Sequence, residues 1–300
     1  MPSPKVLALD MDGTLCTTAN EITPATEAAL REFAAQPGQH VVLATGRSVK
    51  GCTEVVDRYR LPVKYCVAMD GAVILVAPNW DIVWSNGGLS GGCAARLIDA
   101  FNSAVPSAHF GLQTYKGYDT AMVSSERYIE LVEQSSPAFG RDLRRNSDPP
   151  VQGFAAAASV LDSVGFLRVI QDKVAADRDG EWMTQEELLA AMQPALATEN
   201  DSKLRLTTSM VAGGVLVRSS MNDKSLALAK LSEQLGIPPA EFCCCGDESN
   251  DHGMFRWAGW SLSPANATSE TKALAKEVYR APPKKYSRDS RDCPVVYVYN

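Results

Sequence analysis

Asp10 and Asp12 stand one residue apart in the string Asp10-Met11-Asp12-Gly13-Thr14, which sets two carboxylates on one turn. Gly13 lets the backbone reverse sharply, and Thr14 adds a hydroxyl beside the acids. An acid pair of this kind can supply a nucleophile, a general acid or base, or oxygen ligands for a hard cation. Thr45-Gly46-Arg47 offers a hydroxyl and a cation, and Lys224 offers an ammonium group. Gly246-Asp247-Glu248-Ser249-Asn250-Asp251 brings a second pair of acids. Each fragment also has a plain structural reading. Asp-Gly is a common turn dipeptide, Asx turns cap helices, and an exposed lysine suits a first helical turn.

The elements around these residues share one form. Lys5–Leu9, His40–Ala44, Tyr65–Met69 and Phe242–Cys245 are apolar runs too short for helices and bounded by turn signals, the pattern of buried parallel strands. Asp10, Thr45 and Asp70 follow the first three directly and Asp247 follows the fourth after Gly246, at the carboxyl ends where open α/β sheets bind ligands. Cys16–Ile22 reads as a polar turn. Thr23-Pro24 then supplies a cap and a first-turn proline for a helix through Ala35, which Pro37-Gly38 ends. Cys52, Val55, Val56 and Tyr59 line one face of a helix over Ser48–Arg60. Val73–Val76 and Asp81–Trp84 form a hairpin. Lys224 opens a helix with Leu228, Leu231 and Leu235 on one face, stopped by Gly236 and Pro238-Pro239. A short helix carrying Met254, Phe255 and Trp257, a strand near Gly259–Leu262 and a helix over Thr268–Glu277 complete this part.

Alternating strands and helices predict an α/β fold, a Rossmann-like doubly wound parallel sheet. From Ser85 the texture changes, with Gly87-Gly88 and Gly91-Gly92 breaking the pattern. Residues 86–219 are expected to form an inserted α+β domain, and residues 1–85 and 220–300 the core. Within the insertion, Ala94–Ala104, Ser125–Gln134 and Thr184–Met192 read as helices. His109–Tyr115, Gly165–Gln171 and Lys203–Thr208 read as strands. Pro137–Pro150, with Arg141, Arg144 and Arg145, reads as a solvated loop, Val151–Ala158 has no clear assignment, and the tail Lys284–Asn300 is uninformative.

The 300 residues are 45% hydrophobic and 21% charged, which describes a soluble globular chain with room for two domains. Twenty-nine basic against 35 acidic residues leave a net charge of -6, which argues against nucleic acid or an anionic membrane as partner. The eight cysteines form no C-x-x-C pair, and Cys243-Cys244-Cys245 within an apolar run suits a reducing compartment. With no signal-like or membrane-length apolar segment, the expected location is the cytoplasm.

Four strings in order carry a resemblance to a known family. Asp10-Met11-Asp12-Gly13-Thr14, Ala44-Thr45-Gly46-Arg47, Lys224 and Gly246-Asp247-x-x-Asn250-Asp251 match the four motifs of the haloacid dehalogenase superfamily of phosphatases. Asn266, in Ala265-Asn266-Ala267, falls where members of this layout carry Asn-Ala. The insertion resembles the type IIB cap of Cof-like sugar-phosphate phosphatases. Three departures stand out: Asp70 in place of the usual Asn, Ser225 in place of Gly, and Leu262-Ser263-Pro264 in place of a Val-Ala-Met-like run.

The resemblance implies a Mg²⁺-dependent phosphatase of small phosphorylated metabolites, sugar phosphates or phosphorylated cofactors, working through an aspartyl-phosphate. In that reading Asp10 is the nucleophile and Asp12 protonates the leaving oxygen, then deprotonates water. Asp10, Asp247, Asp251 and the backbone carbonyl of Asp12 surround Mg²⁺. Thr45, Gly46, Arg47, Lys224 and Asn250 meet the substrate, and Thr45 and Lys224 also serve catalysis. Glu248, Ser249 and His252 are assigned to loop structure, the histidine with no evident partner. Lys116, Tyr118, Arg168, Lys203 and Arg205 are candidate substrate contacts of the cap, and the sequence does not select among them. A monomer or homodimer is expected. The alternatives are a phosphomutase of the phosphomannomutase kind and a noncatalytic phosphometabolite-binding protein.

Overall fold

Apolar runs of four to six residues, separated by capped helices, organise most of the chain, and their buried faces decide which neighbours they take. The computed structural model describes residues 4–16, 21–114, 121–146, 150–159, 161, 164–172, 182–199, 203–209 and 212–279. The chain divides into two units. One runs through Asn86 and resumes at Asn222, and the other is Gly87–Met221.

The first unit begins with β1 (Val6–Leu9), α1 (Pro24–Ala34), β2 (His40–Ala44), α2 (Val49–Tyr59), β3 (Val63–Ala68), β4 (Val73–Val76) and β5 (Asp81–Ser85). Thr23 and Ser48 cap α1 and α2 by accepting from Thr26 N and Gly51 N. That satisfies amide groups which the first turn of a helix leaves open. The inserted unit follows with α3 (Gly91–Ala104), β6 (Ala108–Gln113), β7 (Ala121–Val123), α4 (Glu126–Ser135), α5 (Pro137–Asn146), α6 (Phe154–Ser159), β8 (Phe166–Gln171), α7 (Gln185–Thr198), β9 (Leu204–Thr208) and β10 (Val215–Ser219). The chain returns through α8 (Lys224–Leu235), β11 (Phe242–Cys245), α9 (His252–Trp257), β12 (Trp260–Pro264), α10 (Ser269–Leu274) and β13 (Glu277–Tyr279).

The first unit holds an eight-stranded sheet in the order β13-β12-β11-β1-β2-β3-β4-β5. The strands from β13 to β3 are parallel, and β4 and β5 extend one edge as an antiparallel hairpin. The α/β class holds, with a mixed sheet. β1 lies at its centre between β2 and β11, with Leu9 level with Leu43 and Cys245. All four β1 residues are buried, as a central strand flanked by helices requires. Val6, Ala8, Val42, Ala44, Val67, Phe242 and Cys244 pack against Leu228, Leu231, Met254 and Phe255 from α8 and α9. That cluster fixes the lysine helix against the strand tips.

The inserted unit holds a five-stranded antiparallel sheet in the order β7-β6-β8-β10-β9. Phe101 of α3, Phe110 and Leu112 of β6, Val169 of β8, Val215 and Val217 of β10 and Met192 of α7 share one core. Tyr128, Ile129 and Val132 of α4 and Leu143 of α5 share another with Ile170.

Several local expectations are corrected. Gly91 and Gly92 do not break the pattern but form the first turn of α3, capped by Ser90. A Cβ on Gly91 would lie 2.3 Å from the carbonyl of Ala158, so the glycine admits a close backbone approach. Pro137–Asn146 is a helix and not a loop. Arg144 holds it to α4 by a fork on Glu133 (Nε to Oε1 2.7 Å) and a bond to Glu126. Helix α6 occupies the unassigned stretch, and α7 runs past Met192 to Thr198 with Pro194 inside it. The helix after Thr268 ends at Leu274, because Glu277 instead enters β13 opposite Leu262. The seven cysteines among the described residues are buried and form no disulfide. No described helix is long and apolar enough to cross a membrane. Residues 17–20 of the polar turn, residues 147–149, Lys116, Tyr118, Cys293 and the tail Lys284–Asn300 lie outside the described residues.

Candidate active site

Parallel neighbours β1, β2, β3 and β11 end on one edge, so the loops after them converge. Asp10 N continues the ladder to the Cys245 carbonyl at 2.9 Å, and Thr45 N to that of Val67 at 2.9 Å. Beyond Asp10 the chain folds over the Met11 carbonyl, which accepts from Leu15 N and Cys16 N at 3.0 and 2.7 Å. Gly13 sits at φ +79° within this turn.

The loop after β11 is closed by one carboxylate. Asp251 Oδ2 accepts from the backbone N–H of Asp247 at 2.9 Å and of Glu248 at 3.1 Å. A Cβ on Gly246 would lie 2.3 Å from that oxygen, so only glycine lets the loop wrap so tightly. Asp223 caps α8 by accepting from Ser225 N at 2.7 Å, and Lys224 therefore leaves the first turn. Its side chain is not the exposed one of an ordinary first turn but is fully buried.

Lys224 Nζ donates to Asp10 Oδ1 and to Asp251 Oδ1, each at 2.7 Å. Asp247 stands beside them and accepts from Thr14 Oγ1 at 3.1 Å. Asp10, Asp247 and Asp251 are all buried, and ligand oxygens from the three lie within 4.8 Å of one another. Three buried carboxylates with one ammonium among them leave uncompensated negative charge, which is costly without a further cation. The acidities reflect this. Burial raises the Asp10 carboxyl well above the ordinary range, with Lys224 pulling the other way. Burial and then the charge of Asp251 push Asp247 up to about 6. Burial disfavours the charged form of Lys224, but the charges of Asp10 and Asp251 outweigh it and hold the ammonium charged beyond the ordinary lysine range. The donor set, buried hard oxygens with excess negative charge, fits a hard divalent cation.

Asp12 lies apart from this trio. Its side chain is 63% exposed and meets Arg47, whose Nε donates to Oδ2 at 2.8 Å and whose Nη2 donates to Oδ1 at 2.5 Å. Arg47, expected to meet the substrate, forms an ion pair with Asp12 in this structure. Thr45 is buried, and its Oγ1 accepts from Arg47 N at 3.1 Å. Gly46 lies against Asp70, where a Cβ would approach Oδ1 to 3.0 Å. Asn250 Nδ2 donates to Asp70 Oδ1 at 2.9 Å, and Asn266 Nδ2 to the Gly13 carbonyl at 2.9 Å. His252 does have a partner, Thr271 Oγ1, at 2.9 Å from Nε2. The sequence marks Asp70 as a strand-tip residue and as a departure from the family pattern, and assigns it no role. The signal that marks it is its place, an Asp-Gly directly after a third strand of the same sheet.

In the inserted unit Arg168 is half-buried on β8, and Lys203 and Arg205 are exposed. Arg144 is engaged with two glutamates on α4, so its charge is already matched.

The profile of the haloacid dehalogenase-like hydrolases matches residues 7–152 and 181–283. The 5-amino-6-(5-phospho-D-ribitylamino)uracil phosphatase YcsE of Bacillus subtilis is 34% identical over 275 residues, covering 90% of this chain and 88% of its own. A phosphoglycolate phosphatase of Natronomonas pharaonis is 25% identical over 272 residues, covering 91% and 89%. Among solved structures, a sugar phosphatase of HAD subclass IIB superposes with a TM-score of 0.67 at 20% identity, covering 92% of this chain and 93% of that one. The strand-tip carboxylates thus sit in a fold and sequence shared with named phosphatases, and the chain belongs to the haloacid dehalogenase-like hydrolase family as an enzyme of the phosphatase kind.

Proposed function

We propose that the chain hydrolyses monoesters of small phosphorylated metabolites, sugar phosphates or phosphorylated cofactors, with Mg²⁺ as its cation. The observation that carries this reading is the buried trio Asp10, Asp247 and Asp251, in which Lys224 bridges Asp10 and Asp251. Asp10, Asp247, Asp251 and the backbone carbonyl of Asp12 would hold the ion. When bound, Mg²⁺ neutralises part of the charge on the transferring phosphoryl group. The relatives' names add support, since phosphoglycolate and the phosphoribitylamino-uracil are both small phosphomonoesters.

Asp10 attacks phosphorus, a bond forms from its carboxylate oxygen, and the ester oxygen leaves with the bonding pair. Lys224 holds Asp10 in place through its 2.7 Å hydrogen bond and contributes positive charge to the anionic centre. Asp12 gives a proton to the departing alkoxide, then takes one from the water that hydrolyses the aspartyl-phosphate. Both Asp12 oxygens are hydrogen-bonded to Arg47, so that pair opens as Asp12 turns to its proton transfers. Thr45, Gly46 and Arg47 line the phosphoryl side, with Asn250 on the adjacent loop. Residues 1–85 and 220–300 make up the catalytic part, and 86–219 the substrate-selecting cap.

A panel of phosphorylated metabolites with Mg²⁺ in ¹⁸O-labelled water tests this reading. The expected result is labelled inorganic phosphate and the free alcohol from at least one compact substrate. An isomeric phosphate ester without labelled inorganic phosphate would instead assign a mutase, and inactivity across the panel would leave the binding-protein alternative.

A further inference from the structure

Three consecutive residues after β3, Met69, Asp70 and Gly71, have positive φ of 54°, 54° and 94°. Two of them are not glycine, and a side chain meets its own backbone at positive φ, so the surrounding structure must impose this loop. Its ties are visible. Met69 N donates to the Arg47 carbonyl at 2.8 Å, and Asp70 N to the Thr45 carbonyl at 3.0 Å. Gly71 is wedged against the entry to the lysine helix, where a Cβ would lie 2.2 Å from the Asp223 carbonyl. Asp70 Oδ1 accepts from Asn250 in the loop that carries Asp247 and Asp251. Asp70 and Met69 are thus hydrogen-bonded to the tip of β2 and the loop after β11, and Gly71 packs against the start of α8.

We propose that Asp70 is a positioning residue for the phosphoryl-transfer reaction. By holding Thr45 through its amide and Asn250 through its carboxylate, it fixes the distance between the Thr45–Arg47 loop and the Asp247–Asp251 loop. The reason is geometric. In its left-handed conformation Asp70 directs the amide to the Thr45 carbonyl and the carboxylate to Asn250. The inference rests on the phosphatase reading above, in which those two loops hold substrate and cation.

The hydrogen bond needs an acceptor at 70 and a donor at 250, and not the charge itself. With p-nitrophenyl phosphate and Mg²⁺, Asp70→Ala should lower kcat/KM at least about twentyfold, within the range for residues that orient ligating side chains, and Asp70→Asn less than about fivefold. Asn250→Asp sets two carboxylates face to face and should be the worst single change. The pair Asp70→Asn with Asn250→Asp restores a donor and an acceptor in reversed order. It should recover at least about tenfold over Asn250→Asp alone, the coupling a double-mutant cycle isolates. A reversed pair no better than Asn250→Asp would overturn the proposal, as would equal losses from Asp70→Ala and Asp70→Asn. If Asn250→Asp does not fold, the cycle of Asp70→Ala with Asn250→Ala decides. Non-additive losses support the bond and additive losses overturn it. The Mg²⁺-induced rise in melting temperature, read on the same variants, should follow the same order. Because it needs no turnover, it separates failure of this proposal from failure of the phosphatase reading.

Discussion

Gly13 and Asp247 are packed so closely that a Cβ on the glycine would sit 2.1 Å from Oδ2 of the carboxylate. The two residues belong to loops after neighbouring strands β1 and β11, and their contact sets how near Asp247 comes to Asp10. Gly13→Ala meets both this clash and a φ of +79°. It should destabilise the protein by about 3 kcal/mol, from left-handed strain plus displacement of a buried group, as urea denaturation will measure. Mg²⁺ activation should weaken in parallel, and an unchanged midpoint with unchanged Mg²⁺ response would show that the loops part freely.

Asp10→Asn and Lys224→Met should separate chemistry from stability. The first removes the proposed nucleophile but relieves crowding among buried carboxylates, so kcat should fall by at least about a thousandfold while the melting temperature holds or rises. The second strands Asp10 and Asp251 without their shared donor, at a cost of about 3–5 kcal/mol. Thermal melts and turnover on both variants check the contrast. Residual activity of Asp10→Asn within tenfold of wild type would remove Asp10 from the nucleophile's role.

The raised carboxyls give the pH dependence its sign. In the folded chain Asp247 titrates at about 6, above the ordinary value, so between those two values the native state binds more protons than the unfolded state. The contribution of this group to stability is present at low pH and is lost as pH rises through about 6. Without divalent cations, Asp247→Asn should therefore gain on wild type in melting temperature between pH 5 and pH 7.5. Mg²⁺ should raise the wild-type melting temperature more at pH 7.5 than at pH 5.5, and its binding near pH 6 should release protons. Scanning fluorimetry with and without EDTA, and calorimetry in two buffers, provide the readout. A Mg²⁺ shift larger at the lower pH would contradict the assignment.

Arg47 and Asp12 form an ion pair with one partly exposed member, and such pairs contribute about 0–1 kcal/mol. Arg47→Met should consequently leave stability within about 1 kcal/mol. Asp12→Asn should lower kcat by about 10²–10⁴-fold with little effect on Mg²⁺ binding, since its proposed part is proton transfer and a backbone carbonyl. A pH profile of kcat that is unchanged in Asp12→Asn would argue against that part.

Much of the first unit was legible because its signals are local. Period and punctuation place a strand before Asp10, Thr45 and Asp247 and a helix after Thr23, Ser48 and Asp223, with boundaries within one or two residues of the structure. Pro137–Asn146 was not legible as a helix, since it is short and polar and owes its place to Arg144 reaching Glu126 and Glu133 on the preceding helix. The left-handed loop at Met69–Gly71 was equally hidden, because nothing in Met-Asp-Gly alone demands positive φ at its first two residues.

What the amino-acid order determined by itself was which residue types stand at strand tips, since apolar periodicity and Gly, Pro, Ser and Thr punctuation act over a few neighbours. What only the tertiary structure decided was which tips meet. Lys224 lies 214 residues from Asp10, Asn250 lies 180 from Asp70, and Thr14 lies 233 from Asp247. Those pairings depend on the order of strands in the sheet, and a buried apolar strand carries the same pattern whichever neighbour it takes.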